Sequence, residues 1–379
     1  MKQRINQIPK KQILLGPPYL TGDEVKAVVG VIKSGQLSLG EQVEKFEKEV
    51  ARFVGARYGV ATSSGTTALH LAVKVAGIGY GDEVITTPFS FVASTNCFLY
   101  EGATPKFVDI DPDSFNLDPK KIEAAVTRKT RAILGVDIFG YPAEWKKIAQ
   151  IAKKHRLKII DDAAEALGAV YRGKSLGSLG WPTVFAFYPN KQMTTGEGGM
   201  VVTNSKAEFI KFKSLVNQGR AGDMQWLKHP SLGYNYRMTE VAAAMGRAQL
   251  KKLKQFLASR RQVAVWYGQR LAKVPGVNLI KANDKQHVRS WFIYVIRLDK
   301  KLNRDRVIKK LLAAGVPAKA YLPSIHLQPY MRRFGYKRGD FPVSEAVSAS
   351  TLSLPFYTGM EEAVVDRVCE KLKKVIGKL

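Results

Sequence analysis

Val184-Phe-Ala-Phe-Tyr-Pro-Asn-Lys191-Gln-Met-Thr-Thr-Gly-Glu-Gly-Gly-Met200 sets one lysine between an apolar run and a glycine-rich turn. The apolar run reads as a buried strand that Pro189-Asn190 stops, and Met200-Val-Val-Thr203 reads as the next strand. A lysine held against packed backbone is partly desolvated. Desolvation disfavours the ammonium and makes a nucleophilic amine available, which a Schiff-base lysine requires. A solvated turn lysine is the simpler alternative, and this stretch alone does not choose between the two.

Outward from this stretch, strand-like runs alternate with amphipathic ones. Tyr58–Thr62, Asp82–Thr87, Lys106–Ile110, Arg131–Val136 and Lys158–Asp161 read as strands. Glu24–Ser34, Gln42–Phe53, Ala68–Ala76 and Glu144–His155 read as helices, the first closed by Gly35. This alternation predicts an α/β fold whose mostly parallel sheet is covered by helices on both faces. A long helical region from Thr239 past Trp266 links to a C-terminal unit. There, Ser290–Arg297 is strand-like, Arg304–Ala314 and Glu361–Ile376 are helical, and Pro317–Tyr321 is extended. Residues 1–250 are expected to form the large domain with an N-terminal arm, and 251–379 the small one.

Composition narrows the class. Hydrophobic residues make up 45% of 379, enough for a sizeable core. Cys97 and Cys369 lie far apart without metal spacing, so neither a metal site nor a disulfide framework is expected, and a reducing, cytoplasmic compartment is. No apolar stretch reaches the roughly 18 residues of a membrane span, and the basic start shows no signal-peptide pattern. The net charge of +28 suits anionic ligands. Its lysines and arginines are dispersed and no DNA-binding signature accompanies them, so nucleic acid is not the expected partner.

Three further segments bear on Lys191. In Ala61-Thr-Ser-Ser-Gly-Thr-Thr-Ala-Leu-His70 a strand gives way to a helix through small residues, a setting for phosphate binding by free N–H groups. Ile159-Ile-Asp-Asp162-Ala-Ala-Glu165 ends a buried strand in two acids, costly unless paired, and one of them could face a protonated heterocyclic nitrogen. Thr86-Thr-Pro-Phe-Ser-Phe91-Val-Ala-Ser94 places aromatics just beyond a strand, where a ring could stack or simply pack in the core. Each follows the carboxyl end of an expected parallel strand, where open α/β sheets bind ligands. A phosphate cradle, an acid, an aromatic and a lysine together complement pyridoxal 5′-phosphate (PLP).

With these blocks go Gly16-Pro-Pro, Gly81-Asp-Glu-Val, Thr195-Gly-Glu-Gly-Gly199, Gly233-Tyr-Asn-Tyr-Arg-Met238, His326-Leu-Gln-Pro329 and Leu352-Ser-Leu-Pro355. Nearly end to end, the chain resembles the sugar aminotransferases of the DegT/StrS type, within the fold-type-I PLP enzymes. The resemblance implies a seven-stranded, mostly parallel sheet and a smaller C-terminal α+β domain. It implies that Lys191 carries the cofactor and moves the proton, that Asp162 pairs with the pyridinium nitrogen, and that Glu165 lies beside the ring. Ser64, Gly65 and Thr66 would hold the phosphate and Phe91 would stack on the ring. Asn235 would reach the cofactor of a neighbouring subunit, making the active unit a homodimer. Tyr188, Tyr321 and His326, in loops that with Leu37 and Ala221–Trp226 shape substrate choice, would contact substrate. One departure is Ala186, where relatives often carry a phosphate-binding serine. The other is Glu165, a carboxylate found in perosamine-synthase-like members.

The implied reaction takes an amino group from an amino acid, usually glutamate, through pyridoxamine phosphate to a nucleotide-linked keto-sugar, for amino-sugar or polysaccharide synthesis. The alternatives are a regulatory protein without turnover, or another PLP enzyme such as a cysteine desulfurase using Cys97.

Overall fold

The computed structural model describes residues 3–6, 12–221 and 228–378. Residues 222–226 of the loop expected to shape substrate choice lie outside the described residues.

Seven strands form the central sheet: β1 (Tyr58–Thr62), β2 (Glu83–Thr86), β3 (Thr104–Phe107), β4 (Thr130–Val136), β5 (Lys158–Asp162), β6 (Thr183–Ala186) and β7 (Gly199–Thr203). Their spatial order is β1-β7-β6-β5-β4-β2-β3. Only β7 runs against the rest, pairing antiparallel with both β1 and β6. The strands are apolar on both faces because the sheet separates two cores. Val84, Val184 and Val201 point into one, whereas Ile85, Phe185 and Val202 point into the other.

Helices α1 (Gly22–Ser34), α2 (Glu41–Val54), α3 (Gly65–Val75), α4 (Ala93–Leu99), α5 (Trp145–Lys154), α6 (Lys206–Val216) and α7 (Glu240–Leu250) belong to this unit. The start of α1 carries a capping box of Thr21 and Glu24, and Gly35 closes it at φ 71°. The long helical region expected from Thr239 is two helices, α7 and α8 (Leu253–Leu271). Lys251 and Lys252 form the turn between them, and Lys252 Nζ pairs with the buried Glu24 at 2.5 Å and with Thr21 Oγ1 at 2.6 Å. A lysine buried this far must find such partners.

The C-terminal sheet contains β8 (Val277–Leu279), β9 (Tyr294–Leu298), β10 (Lys319–Ala320) and β11 (Thr351–Leu354) in the antiparallel order β8-β9-β11-β10. Val263, Tyr267 and Leu271 of α8 pack there with Leu311 of α9 (Arg304–Ala313) and Val368 of α10 (Glu362–Ile376). Leu253 and Phe256, at the start of the same α8, belong to a core of the large sheet. Helix α8 thus joins the two units. The strand expected from Ser290 begins only at Tyr294. Trp291 takes a left-handed φ of 56°, which breaks the extended run before it.

Candidate active site

The four segments singled out by sequence lie along the carboxyl end of the large sheet. Strands β1, β2, β5 and β6 share one direction, so Ser64, Phe91, Asp162 and Lys191 all follow carboxyl ends. Lys191 lies in the hairpin between β6 and β7, its N–H donating to Tyr188 O at 2.9 Å. Its side chain is only 12% exposed, which excludes the solvated turn lysine. Nζ stands 3.7 Å from Glu165 Oε1 and 4.0 Å from the centre of the Phe292 ring. Burial lowers the Lys191 pKa, against the opposing pull of Glu165 and Asp162. Burial likewise raises Glu165, against Lys191 and the Phe139 N–H that donates to its Oε2 at 2.9 Å. Both shifts weaken the ion pair and favour a transferable proton between the two groups. Phe139 itself has a left-handed φ of 54°, a backbone cost accepted at the site that presents this N–H.

The two acids ending β5 part company, since successive strand residues face opposite ways. Asp162 points into the site, where its Oδ2 accepts a 2.6 Å bond from Ser94 Oγ and its Oδ1 a 3.1 Å bond from Ala164 N–H. Burial raises its pKa, and Ser94, Ala164 and Lys191 draw it back. Asp161 points away and accepts from Thr183 Oγ1, while Asp137 accepts from Ala143 N–H and Trp145 Nε1. The remaining oxygens, Asp161 Oδ1 and Asp137 Oδ2, are buried without a hydrogen-bond partner among the described residues. Burial raises both acids, Asp137 to about 7, and the neighbouring Asp137 adds to the rise of Asp161. A raised carboxyl pKa stabilises the fold fully below the unfolded value and ever less as pH climbs towards the folded one. Asp161→Asn, a neutral isostere, removes that dependence. Melting curves from pH 4 to 8 are therefore expected to shift in favour of the variant as pH rises, whereas a constant difference would refute the raised Asp161 carboxyl.

The cradle forms where β1 meets α3. Ser64 Oγ accepts the Thr67 N–H at 3.2 Å and caps the helix. Among the described residues, no acceptor engages the N–H of Gly65 or Thr66, which open the helix. A Cβ on Gly65 would lie 2.7 Å from that of Ala186, so only glycine permits this approach of α3 to β6. Free amides at a helix N-terminus, a backbone with no side chain in the way, a buried acid and a buried amine fit PLP. The phosphate would rest on Gly65 and Thr66, with Ala186 supplying no hydroxyl.

Phe91 is 63% exposed just beyond β2, so it does not pack in the core. Tyr188 is 51% exposed beside Lys191. Tyr321 packs edge-on to Phe139 and Phe292, and the nearby Glu165 adds to the burial that raises its hydroxyl pKa. His326 stands apart. Its ring is fully buried against Phe107 and Phe341, with Nε2 3.1 Å from Glu345, so in this chain it packs the fold and does not face the site. Asn235 is exposed, on a segment bridged to Asn217. Its neighbours hold that segment: Tyr236 hydroxyl lies 3.0 Å from His70 Nδ1, and Tyr234 hydroxyl donates to Glu101 at 2.8 Å. Cys97 is buried, with burial, reinforced by Asp162, pushing its thiol well up, which does not suit a desulfurase nucleophile.

Residues 18–373 match the DegT/DnrJ/EryC1/StrS aminotransferase family. The chain belongs to this family. It is 40% identical over 371 residues to the GDP-perosamine synthase of Caulobacter vibrioides, covering 96% of this chain and 98% of that one. DesV of S. venezuelae is 31% identical with a TM-score of 0.89, over 95% of this chain and 98% of that one. Spr1654 of Streptococcus pneumoniae, assigned as a sugar aminotransferase and solved in PMP and PLP forms, is 26% identical. Its PMP form reaches a TM-score of 0.93 over 97% of this chain and 100% of that one. The protein is a PLP-dependent sugar aminotransferase, with the fold of that group.

Sequence reading missed several partners. Ser94, in the first turn of α4, lies 2.7 Å by its Oγ from that of Ser90 in the loop before the helix, and the hydroxyl-bearing run Ser90–Ser94 was a usable signal. Gln192 donates to Glu165 O at 2.5 Å and Phe292 faces the Lys191 amine, but neither has a local signature.

Proposed function

We propose that the chain moves an amino group from glutamate to a nucleotide-linked 4-keto-6-deoxy sugar, as in perosamine formation, within the cytoplasm. The observation that carries this is the Lys191 amine buried between Glu165 and Phe292 beside the amide cradle, in a chain so similar to a GDP-perosamine synthase. Bound PLP would supply an electron sink for breaking bonds at the carbon attached to nitrogen. Lys191 moves the proton at that carbon, Asp162 holds the ring nitrogen protonated, and Gly65 and Thr66 bind the phosphate. Glu165 sets the charge on Lys191 and stands next to the arriving sugar. The basic surface draws the anionic nucleotide diphosphate.

A homodimer with Asn235 at the partner's cofactor completes the reading. An apolar stripe of Val25, Val29 and Ile32 on α1, continued by Leu37 and Leu39, is 40–62% exposed and supports burial against a second copy. Two free cysteines support a reducing compartment. An intact pair of Lys191 and Asp162 favours turnover over a purely regulatory role.

The test is a panel of GDP-, UDP- and dTDP-linked 3-keto and 4-keto sugars given to pyridoxamine-phosphate-loaded protein. Amination of a GDP-linked 4-keto-6-deoxy sugar is expected; no amination by protein that takes up cofactor would refute the reading. In the same panel Glu165→Gln is expected to slow the preferred sugar, and unchanged rates would remove Glu165 from the substrate side.

A further inference from the structure

Arg260 lies midway along α8, between the two cores that this helix joins, and is 3% exposed. Among the described residues no carboxylate pairs with it, although burying an uncompensated charge is costly. Its guanidinium is instead spread over main-chain carbonyls. Nη2 donates to Lys191 O at 3.1 Å and Asn190 O at 3.4 Å. Nη1 donates to Phe292 O at 2.9 Å and Trp291 O at 3.3 Å, and Nε to Thr358 Oγ1 at 3.1 Å. One planar fork therefore ties together the β6–β7 hairpin, the turn before β9 and the Thr358 loop. Two of these attachments bear on the reacting amine. The first fixes the main chain of Lys191 itself. The second fixes Phe292, whose ring lies 4.0 Å from Lys191 Nζ, and the left-handed Trp291 beside it.

We propose that Arg260 is a positioning residue for the Lys191 amine, holding the lysine hairpin and the Phe292 ring as one desolvated unit across the two domains. A guanidinium suits this task because its donors lie in a fixed plane and reach several carbonyls at once, whereas an ammonium offers a compact point charge. Helix α8 also carries the coupling onward. Ser259, adjacent in the helix, accepts the Gly359 N–H at 2.9 Å, so the Thr358 loop is held from two consecutive residues.

This role rests on Lys191 being the reactive amine and is independent of the sugar. It is tested first on cofactor-free protein. Lys191 acylation by acetic anhydride is followed by peptide mass spectrometry across pH, the midpoint reporting ionisation and the plateau access. In Arg260→Met the hairpin loosens and hydrates. The Lys191 midpoint is then expected to rise towards that of surface lysines, and each pH unit of that rise leaves about tenfold less free amine at neutral pH. Arg260→Lys, which keeps the charge and loses the fork, is expected to move the midpoint part of the way. It carries the test if the methionine variant does not fold. On loaded enzyme, kcat is expected to fall at least tenfold in Arg260→Lys with the donor KM within about twofold. A wild-type midpoint in a folded Arg260 variant overturns the proposal, and so does a variant that loses only melting temperature. Failure of the sugar panel with an altered midpoint would instead count against the substrate assignment alone.

Discussion

Lys191→Ala is expected to lower turnover by at least about 10⁴-fold at every pH tested. A positioned acid–base group contributes about 10²–10⁴-fold, and in the proposed mechanism this side chain also supplies the covalent attachment of the cofactor. Among the described residues the side chains in contact with its Nζ are a carboxylate, Glu165, and an aromatic ring, Phe292, and neither can substitute for an amine. The electrostatics change as well. Lys191 is the charge that pulls both Asp162 and Glu165 down against burial, so its loss leaves both acids further raised and more fully protonated. Noncovalent cofactor affinity is therefore expected to fall too, although the amides of Gly65 and Thr66 remain. Borohydride reduction followed by intact mass checks the first point: wild type gains the cofactor's mass permanently and the variant does not. Equilibrium dialysis checks the second. Covalent capture in the variant, or turnover within tenfold of wild type, would remove Lys191 from the chemistry.

The parts of this site that the sequence makes legible are those written in local pattern. The apolar runs of β4, β5 and β6 announce a sheet buried on both faces, and the turn after each marks a carboxyl end. Ser64-Gly65-Thr66, Asp162 and Lys191 could be placed because each follows such an end. What local pattern could not supply was sequence-distant contact. Arg260 reads as one of several basic residues on a helix, and only the fold brings its guanidinium to Lys191 and Phe292. Lys252 has the same character: its partner Glu24, met at the turn between α7 and α8, lies far off in sequence where periodicity does not reach. His326 sits in a stretch shared with the family, yet its role here is packing, with Glu345 as its partner. Asp161 illustrates the opposite case. The alternation of a strand assigns it to the face away from Asp162, but Asp137, the acid that raises it, comes just past the same end of the neighbouring β4 and is invisible to spacing.

Asp162→Asn should cost about 10²–10³-fold in kcat, the loss that follows removal of one preorganised electrostatic partner from a water-poor site. Asparagine keeps the shape and can still meet Ser94 and the Ala164 N–H, so the fold is preserved while the negative charge proposed to face the ring nitrogen disappears. A graded comparison separates charge from packing. Ser94→Ala leaves the carboxylate in place but removes the 2.6 Å bond that draws its pKa down. The ionised form is then less favoured, so a higher pH is needed to populate it. The acid limb of the pH–rate profile is expected to move to higher pH in Ser94→Ala, with kcat on the alkaline side nearly intact. Bonds of this charge-assisted kind are worth about 1.5–3 kcal/mol, so the limb is expected to move by about one to two pH units. Asp162→Asn, by contrast, has no carboxylate to titrate and should stay slow across the whole range. Parallel acid limbs in wild type and Ser94→Ala would show that Asp162 is not the group whose ionisation governs the rate, and would move the ring-nitrogen partner elsewhere in the site.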